Sequence, residues 1–102
     1  MFVNLNETSL PVTASSTPAY YSIPENVTRF RIFNDAGATI VVKAETGAAT
    51  TLTAPSAGTK FTGTAIANQG VEMFDTDADK KGVSVYSVSG TGTVYIQFTY
   101  GQ

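Results

Sequence analysis

From Thr28 onward the chain alternates between apolar and polar positions. In "TRFRIFND", Phe30 and Ile32 fall on one side and Arg29 and Arg31 on the other. That period of two is what a half-buried strand requires. The turn-forming cluster Asn34-Asp35-Ala36-Gly37 follows. "TIVVKAE" then resumes the pattern, with Ile40, Val42 and Ala44 sharing the buried face. The two segments read as a hairpin. Farther on, Pro55 and Gly58 separate a short strand around Leu52 from another around Phe61. "GVEMFDTD" carries Val71, Met73 and Phe74, and "GVSVYSVS" sets Val83 and Val85 against Tyr86 and Val88. The last stretch is the most regular: Val94, Ile96, Phe98 and Tyr100 alternate with Tyr95, Gln97 and Thr99.

No stretch shows a helical face of useful length. The alanines of "GAAT" and "GTAIANQG" are mixed with glycine and threonine, which disfavours helix. About seven or eight short strands separated by turn signals indicate an all-β, single-domain antiparallel β-sandwich or a jelly-roll-like fold. Residues 1–25 differ from the rest, with Pro11, Pro18 and Pro24 spread along them. Proline supplies no ladder donor and is confined to strand edges, starts or bulges. This segment is therefore either an edge strand with a long loop or an extended arm lying on a neighbouring subunit. Residues 26–102 form the sandwich domain. In the arm reading Phe2, Val3, Leu5 and Leu10 are the anchors, by strand addition or pocket filling.

Composition narrows the function. The 102 residues include no cysteine and no histidine. Disulfides, cysteine nucleophiles, Ser-His-Asp triads and ordinary His-based zinc sites are thereby excluded. Charged residues make up 14% of the chain and the net charge is -2. A typical soluble domain carries roughly 25%. A surface polar through hydroxyls rather than ions suits packing against another protein, because few charges need desolvating. The six basic residues form no long run, so nucleic acid is not an expected partner. "MFVNLNETSL" has neither a basic start nor a sustained apolar stretch, and no window is long enough to span a membrane. The expected place of synthesis is the cytoplasm, without a signal peptide.

Three features invite a chemical reading. Ser89-Gly90-Thr91-Gly92 has no following lysine and no following helix, and Tyr95 stands where a dinucleotide fingerprint needs its third glycine. It reads as a hairpin connection between two strands. Asp75, Asp77 and Asp79 in "DTDADKKG" could direct carboxylate oxygens at a calcium ion. Gly82 and Tyr86 occupy the wrong places for a helical calcium loop, and Lys80 and Lys81 partly neutralise the cluster. A solvated turn is the plainer reading. The remaining acids, Glu7, Glu25, Asp35, Glu45 and Glu72, are not placed in pairs that would serve a glycosidase. No cofactor and no catalytic residue are expected. Tyr20, Tyr21, Phe33, Tyr86 and Tyr95 lie on strands or at their ends. Outward-facing members of this set would stack on sugar rings or on a protein partner, and the rest would pack within the sheets.

"RIFNDAGATIVVKAE" followed by "SVYSVSGTGTVYIQFTYGQ" resembles the small all-β structural proteins of tailed bacteriophage virions. The shared pattern is an arginine-flanked apolar strand, an Asn-Asp turn, a second strand and a Gly-Thr-Gly connection into a β-rich tail. It covers roughly Thr28 to Gln102. The resemblance implies a decoration or cement protein on the capsid surface, partnered by the major capsid protein or another virion protein, and homo-oligomeric with a trimer favoured. A head-tail or tail-fibre component, or a carbohydrate- or cell-surface-binding module, are the alternatives.

Overall fold

A computed structural model describes residues 8–24, 27–53, 57–58, 63–75 and 80–100. Eight strands are formed, β1 (Thr8–Ala14), β2 (Ala19–Ser22), β3 (Val27–Asp35), β4 (Ile40–Glu45), β5 (Thr64–Ile66), β6 (Val71–Asp75), β7 (Gly82–Ser87) and β8 (Gly92–Tyr100), and no helix occurs among the described residues. They make two antiparallel sheets, β1-β8-β3-β6 (sheet A) and β2-β7-β4-β5 (sheet B). This is a β-sandwich, and its strand order is that of a jelly roll.

Alternation decides which side of each strand faces the core. Phe30 and Ile32 of β3 are buried between the sheets with Val94, Ile96 and Phe98 of β8. Sheet B answers with Ile40, Val42, Ile66, Val83 and Val85. Register places Phe98, Phe30 and Phe74 in one row across sheet A, and the Phe30 and Phe74 rings stack at 5.1 Å. β1 and β2 are edge strands of opposite sheets. Pro11 is accommodated in β1 because an edge strand has one side with no ladder to complete. The Tyr21 hydroxyl donates to the Thr13 carbonyl at 2.8 Å and ties the two edge strands across the sandwich.

Two expected hairpins are absent. β3 and β4 lie in different sheets, and so do β7 and β8. Both short connections carry the chain across the sandwich instead of back along a neighbour. The side chain of Asn34 shows why at the first of them. Asn34 is fully buried on the core side at the end of β3. Its Nδ2 donates to the carbonyls of Ala38 (2.8 Å) and Ile66 (2.9 Å), and its Oδ1 accepts from the Ala36 amide at 2.9 Å. Its main chain is bonded to Gly70 and Gln69. One amide thus turns the chain out of sheet A and holds it to the end of β5. The second crossover packs against the first: a Cβ at Gly92 would lie 2.3 Å from the Ala36 carbonyl oxygen. Gly90 supplies the left-handed backbone of that turn, at φ +73°. The strand expected around Leu52 is not formed, although Leu52 is buried, and Phe61 lies outside the described residues.

Asn34→Ala leaves one buried and one part-buried carbonyl without their donor and is expected to cost about 3 kcal/mol in urea unfolding. A loss below about 1 kcal/mol would show that the crossover does not depend on this amide. Gly92→Ala should destabilise more than Gly90→Ala. The first must displace main chain, whereas the second meets only the left-handed penalty of about 1 kcal/mol; equal losses would remove the close-packed crossovers from the explanation.

Candidate interaction surface

The outer faces of the two sheets differ. On sheet B the outward positions are Val41, Lys43 and Glu45 of β4, and Gly82, Ser84 and Tyr86 of β7. Val41, Glu45, Gly82 and Ser84 are nevertheless buried. The chain after β4 folds back over them. Glu45 is the anchor: its carboxylate accepts from the Thr51 amide (2.8 Å), the Thr51 hydroxyl (2.7 Å) and the Ser84 hydroxyl (2.5 Å). Lys43 Nζ donates to the same Thr51 hydroxyl at 2.6 Å. Leu52 is held down beside this clasp, and it and Val41 both flank Gly63. At the other side of the face the ring of Tyr20 closes over Gly82.

Sheet A has no such cover among the described residues. Register aligns its outward side chains in rows across all four strands. The central row is Pro11, Tyr95, Phe33 and Val71. Phe33 and Tyr95 stack with ring centroids 6.3 Å apart. Val71 is 50% exposed and Met73, in the next row, 53%. That next row is Ser9, Gln97, Arg31 and Met73. Both Nε and Nη2 of Arg31 donate to the Gln97 side-chain oxygen. Ser9, Arg31, Phe33, Val71, Tyr95 and Gln97 line an open depression on this face. Open and shallow, it is a platform rather than the enclosed concave site small ligands use. The two edges of sheet A are blunted. Proline interrupts the donor row of β1, and Glu72 places a charge on the inward side of β6.

Of the acidic residues singled out from the sequence, Asp75 ends β6 and pairs with Arg29 at 3.2 Å, both side chains well exposed. Asp77 and Asp79 lie outside the described residues. Among the described residues no group of three metal-ligating side chains comes together. Phe2, Val3 and Leu5 also lie outside the described residues. Leu10 stands opposite Ile96 on the core side of β1 and is 37% exposed because the edge leaves it uncovered. Tyr95 reads as outward from its alternation with Val94 and Ile96, and the structure sets Phe33 beside it. That Pro11 and Val71 join them is a consequence of register, which no local pattern reveals.

No protein-family model and no curated protein matches the chain. Among solved structures, the fold is similar to a chain from Bacillus endospore appendages, described as a novel family of disulfide-linked pili. The TM-score is 0.51 and the identity 14%, over 94% of this chain and 87% of that one. At that identity the likeness is one of fold. The present chain has no cysteine with which to form a disulfide link.

The Glu45 clasp has a pH signature. Burial raises the carboxyl pKa, but the hydrogen bonds from Ser84 and from the main chain and hydroxyl of Thr51, with the charge of Lys43, outweigh it and hold the group below its ordinary 4.5. A folded-state pKa below the unfolded value contributes stability that is present above about 4.5 and lost as pH falls through the folded value. Glu45→Gln should therefore lower stability by about 2 kcal/mol at neutral pH, and its gap to wild type should close in acid. Thermal melts from pH 7 down to pH 2.5 check this; parallel curves for the two proteins would contradict it.

Proposed function

We propose that this protein is a structural subunit of a protein particle and acts by adhesion, through the outer face of sheet A, with no bond made or broken. The observation that carries the reading is the contrast between the two outer faces. One is covered by its own chain and clasped by Glu45. The other carries a four-strand apolar row that no described residue covers, with stacked aromatic rings at its centre. Such a face is matched to a protein surface, since aromatic anchors supply contact area and few ions must be desolvated. The finer reading is capsid decoration in a tailed phage, supported by the resemblance of Thr28 to Gln102 to small virion proteins. A protein that binds only the assembled shell stabilises it by its binding free energy, and many copies add that effect. A filament subunit is the second reading, favoured by the likeness of fold to a chain of pilus-type appendages.

Immunogold electron microscopy of particles from cells that produce the chain separates these readings. Label on phage heads, with loss of particle heat resistance once the protein is stripped off, is the expected outcome. Label along thin fibres would select the filament reading. Antibody found only on free, unassembled protein would overturn both.

A further inference from the structure

Three rows of the open face are related by a symmetry that bears on what covers it. Phe33 lies in the central row. Along β3, Arg31 stands two residues before it and Asp35 two residues after it, each about 7 Å away at the rise of a strand. The neighbouring strands repeat this spacing. Gln97 and Thr93 flank Tyr95 on β8, and Ser9 and Thr13 flank Pro11 on β1. The apolar row is thus bordered on one side by Ser9, Gln97, cationic Arg31 and, at the β6 edge, the exposed Met73, and on the other by Thr13, Thr93 and anionic Asp35.

We propose that this face pairs with the same face of a second copy, about a two-fold axis lying along the row Pro11–Tyr95–Phe33–Val71. The proposal rests on the adhesive reading of the face and names its first occupant. A half-turn about that axis sets each residue of the central row opposite itself and exchanges the bordering rows. Arg31 then meets Asp35 of the second copy, and Asp35 meets its Arg31. Gln97 meets Thr93, and Ser9 meets Thr13, so hydroxyls and amides face one another at the rim. Facing sheets pack about 10 Å apart with strands within about 30° of alignment, which is within reach of an arginine and an aspartate extended toward each other. Charge complementarity favours this occupant. Among the described residues Arg31 has no carboxylate partner and is met only by the neutral Gln97 amide. Asp35 accepts from Gln69 and carries no cation. A ring of three would need two different complementary patches, whereas this patch complements itself.

Sedimentation equilibrium of the full chain over micromolar to millimolar concentration tests the pairing. Wild type is expected to form a dimer that goes no further. Phe33→Glu, at the centre of the row, should leave it monomeric; Val71→Lys serves in its place if thermal melting shows that Phe33→Glu unfolds. Arg31→Asp and Asp35→Arg should each weaken association at least about tenfold, and the double reversal should bring it back to within about threefold of wild type. The pairing is overturned by a wild type that stays monomeric, by association that continues past two, by a dimer indifferent to both row substitutions, or by a folded double reversal no tighter than the singles. A monomer that still labels particles would remove the pair and leave the adhesive reading standing, with a different protein as the occupant.

Discussion

Most strands of this chain carry a strongly apolar side toward the core, and the fold follows from the need to hide those sides at once. A single sheet would leave its apolar face wet, so the strands divide into two sheets that close on each other. The division is made by the connections. Of the consecutive strand pairs, only β4 and β5 remain in one sheet. The others cross the gap, and the buried amide of Asn34 shows how a crossover is held where a hairpin would otherwise form. Low charge does not weaken this arrangement, because the driving term is apolar burial and the satisfaction of a few buried polar groups.

The same constraint produces the asymmetry on which the proposed function rests. Once the core is closed, each sheet still has an outer face. On sheet B the chain covers it with its own residues and locks the cover with a carboxylate that accepts three hydrogen bonds. On sheet A nothing among the described residues plays that part. Exposed apolar side chains scattered singly are ordinary on soluble proteins, whereas a contiguous apolar row is a feature that contact surfaces share, and the proposed function rests on it. The edges point the same way. With proline in β1 and Glu72 on β6, strand addition at the edges of sheet A is discouraged, which is consistent with the proposal that its face makes the contact.

Much of the fold could be read from the residues in order. Phe30 and Ile32 against Arg29 and Arg31, and Val94, Ile96 and Phe98 against Tyr95, are buried and exposed as their alternation implies. What alternation does not carry is the identity of the neighbour. A short turn between two such strands serves a hairpin or a crossover equally well. The choice was made by Asn34 and by the close approach of Gly92 to Ala36, contacts among residues that local patterning treats as turn formers. Nor does alternation report a cover laid on from elsewhere. Val41, Glu45 and Ser84 occupy outward positions and are buried because Thr51 and Leu52 come back over them. The interaction surface was half legible. Tyr95 stands out as an aromatic opposite the core side of its strand, but its alignment with Phe33, Pro11 and Val71 needs the register of four strands drawn from both ends of the chain.

The account stands on one claim, that the outer face of sheet A is where this protein meets another macromolecule. Hydroxyl-radical footprinting read by mass spectrometry tests it on the chain as dilute monomer and in its assembled form. Oxidation of Met73, Tyr95 and Phe33 should fall on assembly, while Tyr20 and Tyr86 on the opposite sheet keep their free-state rates. Unchanged labelling of Met73 and Tyr95 in the assembled protein, with protection appearing instead on the face of sheet B, would contradict it.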